Sequence, residues 1–197
     1  LYSLHNSGFG GVYYYVSLPC KPLYAKFQAL PKKEKLPLHL GEPEAPYMKK
    51  LAEAIFKMPT SVESYDFLKK HSKKDPAEII NYGTSSDDYA RRVAESFTLV
   101  CEMPYYEDPR ISDTSMSDVV RRDAVMYSLK VAEERYTFIK ETYLPVKDSL
   151  KSHAEKQPFI DAIEDSLKRF PDSIAAEKHW AETDPKLRRK ATVAEKF

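Results

Sequence analysis

Hydrophobic and polar positions along the chain change their period twice. The opening runs "LYSL" (residues 1–4) and "GVYYYVSL" (11–18) are rich in β-formers and bounded by Gly and Pro, which predicts two strands around a glycine-rich turn. Within "APYMKKLAEAIFKM" (45–58), Met48, Leu51, Ile55 and Met58 recur at the spacing of one helix face. "SSDDYARRVAES" (85–96) opens on capping residues and continues with Ala and Arg, so a helix starts there. "FTLVCEMP" (97–104) predicts a short buried strand closed by proline, and "YYEDPRISDTS" (105–115) a loop.

Beyond that loop the helical period takes over. "SDVVRRDAVMYSLKVAEERYTFIKETYL" (117–144) predicts one long helix with Val120, Ala124, Tyr127, Val131 and Phe138 as its apolar stripe, ended or kinked at Pro145. "QPFIDAIEDSLKRF" and "PDSIAAEKHWAET" predict two further amphipathic helices, and the final "KATVAEKF" is helix-compatible. No internal repeat interrupts this order. The pattern gives an α/β part over residues 1–113 and a helical extension over 114–197.

Composition narrows the function classes only modestly. With 31 basic and 30 acidic residues the net charge is +1, so nothing in the balance favours nucleic acid or an anionic membrane as partner. No run approaches the ~20 apolar residues of a membrane span. Cys20 and Cys101 cannot build a disulfide framework. They read as two reduced, partly buried thiols, though one bridge between them is possible; this leans toward the cytoplasm, and nothing else bears on localisation. "KLRRK" (186–190) reads as a solvated helix face and "GEPEAPY" (41–47) as the acidic entry to a helix.

Two residues stand out chemically. His5 follows the first strand-like run, and Glu102 sits inside an apolar one, where a carboxylate needs a partner or a task. A desolvated carboxylate can serve as a general base. The stretch "SLHNSGFGGVYYYV" resembles the segment carrying the last zinc-binding histidine of the zinc carboxypeptidases of the carboxypeptidase A and B family. Further on, "SDDYARRVAESFTLVCE" resembles, without a gap, that family's Ser-x-Asp-aromatic stretch, short helix and strand ending in the catalytic glutamate. The resemblance covers residues 1–103, in the right order. It implies part of a mixed-sheet catalytic domain in which His5 is a ligand of a catalytic Zn2+ and Glu102 moves the proton between water and leaving amine. It further implies that Asp87 lines a pocket for the C-terminal side chain of a peptide, an acid there going with Lys or Arg substrates, and that Tyr82 hydrogen-bonds substrate. Asp87 reads equally as a first-turn or N-cap carboxylate of its helix.

The family also needs a His-x-x-Glu ligand pair and an arginine for the substrate carboxylate, all upstream of the third histidine, where this chain has four residues. The strings "HLGE" (His39, Glu42) and "HWAE" (His179, Glu182) lie downstream of His5 and read as accidental matches of a short motif. His71, His153 and His179 show no mutual spacing that would build a metal site. The expectation is therefore the C-terminal part of a zinc metallopeptidase acting on a peptide or peptide-like substrate. Two of its metal ligands would precede Leu1, so the part alone would be inactive, and a first half supplied as a separate or cleaved chain would be its natural partner. The alternative is a carboxypeptidase-like scaffold that binds partners through its helical extension.

Overall fold

The tyrosine-rich run becomes the centre of a five-stranded sheet. The computed structural model describes residues 5–80, 83–151 and 154–196. In chain order these form β1 (His5–Gly10), β2 (Tyr13–Val16), α1 (Lys21–Lys33), β3 (Lys50–Ala52), β4 (Ile55–Lys57), α2 (Ser61–His71), α3 (Pro76–Ile79) and α4 (Ser86–Val93). They continue with β5 (Leu99–Glu107), β6 (Met116–Val120), α5 (Arg121–Tyr143), α6 (Lys147–Lys151), α7 (Gln157–Thr183) and β7 (Lys190–Thr192). The large sheet has the order β1-β5-β2-β4-β3 and is mixed: β1 with β5 and β2 with β4 are parallel, whereas β2 with β5 and β3 with β4 are antiparallel. A second, two-stranded sheet pairs β6 with β7.

The alternation of β2 explains its burial on both faces. Tyr13 and Tyr15 point to one side with Leu38, Ala54 and Phe56. Val12, Tyr14 and Val16 point to the other, with Ile55 and the α1 residues Tyr24 and Phe27. Residues 45–58 depart from the predicted helix. Ile55 and Phe56 alternate across the sheet instead of sharing a stripe, and β4 pairs alongside β2. Ala54 turns between β3 and β4 at φ 55°, a conformation that local pattern does not announce. Pairing a neighbour with the most buried strand outweighs the local helix period.

The glycine-rich stretch after His5 is likewise strand, since β1 runs to Gly10 alongside β5; residues 1–4 of the predicted first strand lie outside the described residues. Pro104 does not close β5. Beyond Glu102, β1 is the only strand among the described residues paired with β5, so a residue without an N–H can sit in that stretch.

The helical half also differs in detail. Residues 116–120 form β6, and the buried residues of α5 are Arg121, Ala124, Val125, Leu129 and Tyr143, of which Ala124 alone belongs to the predicted stripe. Val125 and Leu129 pack on Ile174, Ala181 and Leu187. Tyr127 and Phe138 face outward, 68% and 70% exposed. The final segment forms β7 and then a 3-10 turn over Ala194–Lys196.

The two helices predicted over 157–183 are one, α7, with Pro171 inside it. A helix-internal proline leaves the carbonyl four residues back without its N–H. In α7 that carbonyl belongs to Leu167, and the Tyr136 hydroxyl donates to it at 3.2 Å. The same repair occurs in α1. Pro31 orphans the carbonyl of Phe27, and the Tyr14 hydroxyl donates to it at 3.0 Å. Each proline is tolerated because a tyrosine from a neighbouring element supplies the missing donor.

Candidate functional site

Strand register brings the two nominated residues together. His5 lies directly opposite Glu102 across the parallel β1–β5 pair, and Tyr13 lies opposite Glu102 on β2. Glu102 is therefore flanked on both sides in the sheet, and the residue is 8% exposed. The His5 side chain, on the outer strand, is 50% exposed. Its Nδ1 is 3.2 Å from Glu102 Oε1. A shielded carboxylate facing an imidazole that solvent can reach is suited to accepting a proton and handing it on. The same imidazole offers a metal-ligating nitrogen.

The surroundings carry the electrostatic signature of buried negative charge. Burial, the hydrogen bond to Glu44 and the Glu102 charge together push the Tyr13 phenol well above its ordinary range. Tyr15 is raised by burial and by the same two carboxylates. On the opposite face, burial and Cys101 push Tyr14 up to about 12. These phenols stay neutral donors at physiological pH.

Asp87 stands apart from that pair. It lies in the first turn of α4, where Ser85 takes the cap by accepting from the Asp88 amide at 3.2 Å. Asp87 is 3% exposed, and its Oδ2 pairs with Arg91 Nη2 at 3.1 Å. Its Oδ1 is buried with no hydrogen-bond partner among the described residues. The carboxylate thus serves its own helix while keeping one acceptor open. Tyr82 lies outside the described residues, as does His153.

Neither His-x-x-Glu string forms a ligand pair. In the first, His39 Nε2 bonds the backbone carbonyl of Glu42 at 2.8 Å, and the Glu42 carboxylate accepts from Arg121 Nε at 3.1 Å. In the second, His179 Nδ1 lies 3.1 Å from His71 Nδ1 on α2, a contact across 108 positions that spacing along the chain does not announce. The acidic segment 41–47 leads into no helix: Glu44 accepts from the Tyr13 hydroxyl. The basic cluster near the end is partly a single 3-10 turn, and Arg189 is held by Glu195 at 2.5 Å.

Tested against a zinc site, the described residues fit two parts of it, a histidine ligand and a carboxylate base. No three His, Cys, Asp or Glu side chains among them gather closely enough to hold a metal ion by themselves. Cys20 and Cys101 are both free thiols, and no helix among the described residues is long and apolar enough to cross a membrane. No family model matches the chain, and neither do any curated protein or solved structure.

Proposed function

We propose that this chain contributes His5 and Glu102 to a zinc-carboxypeptidase-like site that hydrolyses the C-terminal peptide bond of a peptide, or a related amide. The reading is carried by one observation: the two residues nominated 97 positions apart face each other at 3.2 Å, in register on adjacent parallel strands. His5 would hold the metal through a ring nitrogen, and the site would need two further protein ligands beside it. A zinc ion there supplies a water of lowered pKa and polarises the scissile carbonyl. Glu102 does the proton work, taking a proton from the attacking water and returning it to the leaving amine. Its flanking by β1 and β2 holds the carboxylate in place and limits its hydration. Asp87, with one unpaired buried oxygen, is the residue assigned to a basic C-terminal side chain, and Tyr82 is assigned to hydrogen-bond substrate.

The test uses the longest natural chain containing these residues, with zinc content and release of C-terminal Lys, Arg and Phe measured on the same preparation. Glu102→Gln should keep the zinc and lose about 100-fold or more of the turnover. His5→Ala should lose the zinc. Turnover that survives Glu102→Gln would sink the proposal. The outward Tyr127 and Phe138 on α5 favour the second reading, a scaffold that binds through its helical half. In that case neither zinc nor turnover appears, and Tyr127→Ser with Phe138→Ser abolishes partner binding.

A further inference from the structure

A cavity of about 650 Å3 lies apart from the His5–Glu102 pair. It begins one residue further along β1, at Asn6, and is closed by the 42–48 loop and by α5 and α7. Its size is that of a small-molecule site. The wall is partly apolar, with Phe56, Leu129 and Trp180 among its linings.

Its charged groups fall into two sets. Glu42 is held by Arg121 at 3.1 Å, and Glu195 by Arg189 at 2.5 Å. Glu44 accepts from the Tyr13 hydroxyl but has no cationic partner among the described residues, and Lys50, the other cation on the wall, is exposed and pairs with neither. Glu177 has no hydrogen bond or ion pair there at all, and burial alone raises its carboxyl above the ordinary range. A desolvated carboxylate without a partner is costly, and the other acids at this wall are partnered. Glu177 and Trp180 are three apart on α7, hence neighbours on one helix face. The Trp180 Nε1 donates to Asp184 Oδ2 at 3.0 Å, which fixes the indole on the wall. An aromatic ring beside an unpaired carboxylate suits a cation with an organic body. A bare metal ion suits the spacing less well, because no three ligating groups converge among the described residues.

We infer that this cavity is a binding site for an organic cation, an ammonium or guanidinium on an aliphatic or aromatic body, with Glu177 as its charge partner and Trp180 as its apolar wall. The inference does not rest on the peptidase reading, and its test involves neither zinc nor turnover.

Trp180 is the only tryptophan of the 197-residue chain, so its fluorescence reports on this cavity directly. Phenethylamine is titrated against its neutral counterpart 2-phenylethanol, with calorimetry reading the same affinities should the indole be insensitive. Phenethylamine should bind saturably and at least about tenfold more tightly than the alcohol, and Glu177→Gln should erase that difference while leaving alcohol binding unchanged; a tenfold ratio is about 1.4 kcal/mol. Should Glu177→Gln fail to fold, Glu177→Asp, which keeps the charge on a shorter arm, must weaken the amine and not the alcohol. No saturable binding of the amine by either readout overturns the inference, as does equal affinity for amine and alcohol. An amine preference that survives both substitutions overturns it too.

Discussion

The tyrosine repair of Pro171 makes a sharp prediction, because its magnitude depends on a residue that Tyr136 does not have to touch. Tyr136→Phe keeps the ring, which stacks on Phe170 at 5.8 Å, and removes only the hydroxyl that donates to the Leu167 carbonyl at 3.2 Å. A net intramolecular hydrogen bond is worth about 0.5–1.5 kcal/mol, and a carbonyl left without a donor pushes the cost to the upper part of that range. Pro171→Ala returns an N–H to position 171, which the Leu167 carbonyl then accepts in the ordinary helical way. In that background the hydroxyl is redundant, and Tyr136→Phe should cost close to nothing. The expected coupling in the double-mutant cycle is therefore about 1 kcal/mol. Urea unfolding of the four proteins reads it, and thermal midpoints should show a shift of roughly 2–4 °C confined to the proline background. Equal cost of Tyr136→Phe in both backgrounds would mean that the hydroxyl does not serve the proline gap.

Two further outcomes separate this fold from its alternatives. Phe56 is fully buried between the Tyr13 and Tyr15 rings, so Phe56→Ala should cost about 3–5 kcal/mol, whereas the outward Phe138→Ala should stay within about 0.5 kcal/mol; the reverse order in urea unfolding would restore the helix-face reading of both segments. Burial holds the His39 and His71 imidazoles below their ordinary 6.5, with Lys50 and the Lys70 and His179 charges adding to the effect, so the native state favours the neutral rings. Their contribution is fully present above about pH 6.5 and is lost as pH falls below it, because the unfolded chain takes up the protons first. The Glu195 carboxyl, held at about 2 by Arg189, gives up its contribution only below its ordinary 4.5. The raised Glu177 carboxyl works in the opposite direction, so the test is made in the Glu177→Gln background, where a urea midpoint that stays level from pH 7.5 to 5 would contradict the burial of the two histidines.

What the sequence discloses here is local chemistry, and what it conceals is pairing. The cap of α4 and the strands β2 and β5 are readable because capping residues and β-formers act within a few positions, but only β2 is buried: Leu99 and Met103 of β5 reach solvent, and Glu102 is its one buried residue. The α2 start was equally open to reading: Thr60 and Glu63 form a reciprocal capping box, a four-residue signal that the apolar spacing upstream obscures. Pro171 divides two predicted helices because the donor that rescues it lies on another element, 31 positions from the carbonyl it serves; the donor that rescues Pro31 is likewise on another element, 13 positions away. The 45–58 segment misleads for the same reason, since its apolar spacing suits a helix while β2 offers it a strand partner. The candidate site shows both sides of this rule. His5 and Glu102 could be nominated by residue type within strand-like runs, but only the β1–β5 register sets them 3.2 Å apart. Glu177 left no local mark, being one glutamate among many on an amphipathic helix. It becomes informative only when the fold half-buries it in the cavity wall without a partner among the described residues, a property of packing, whereas His5 and Glu102 are marked by residue type within their own runs.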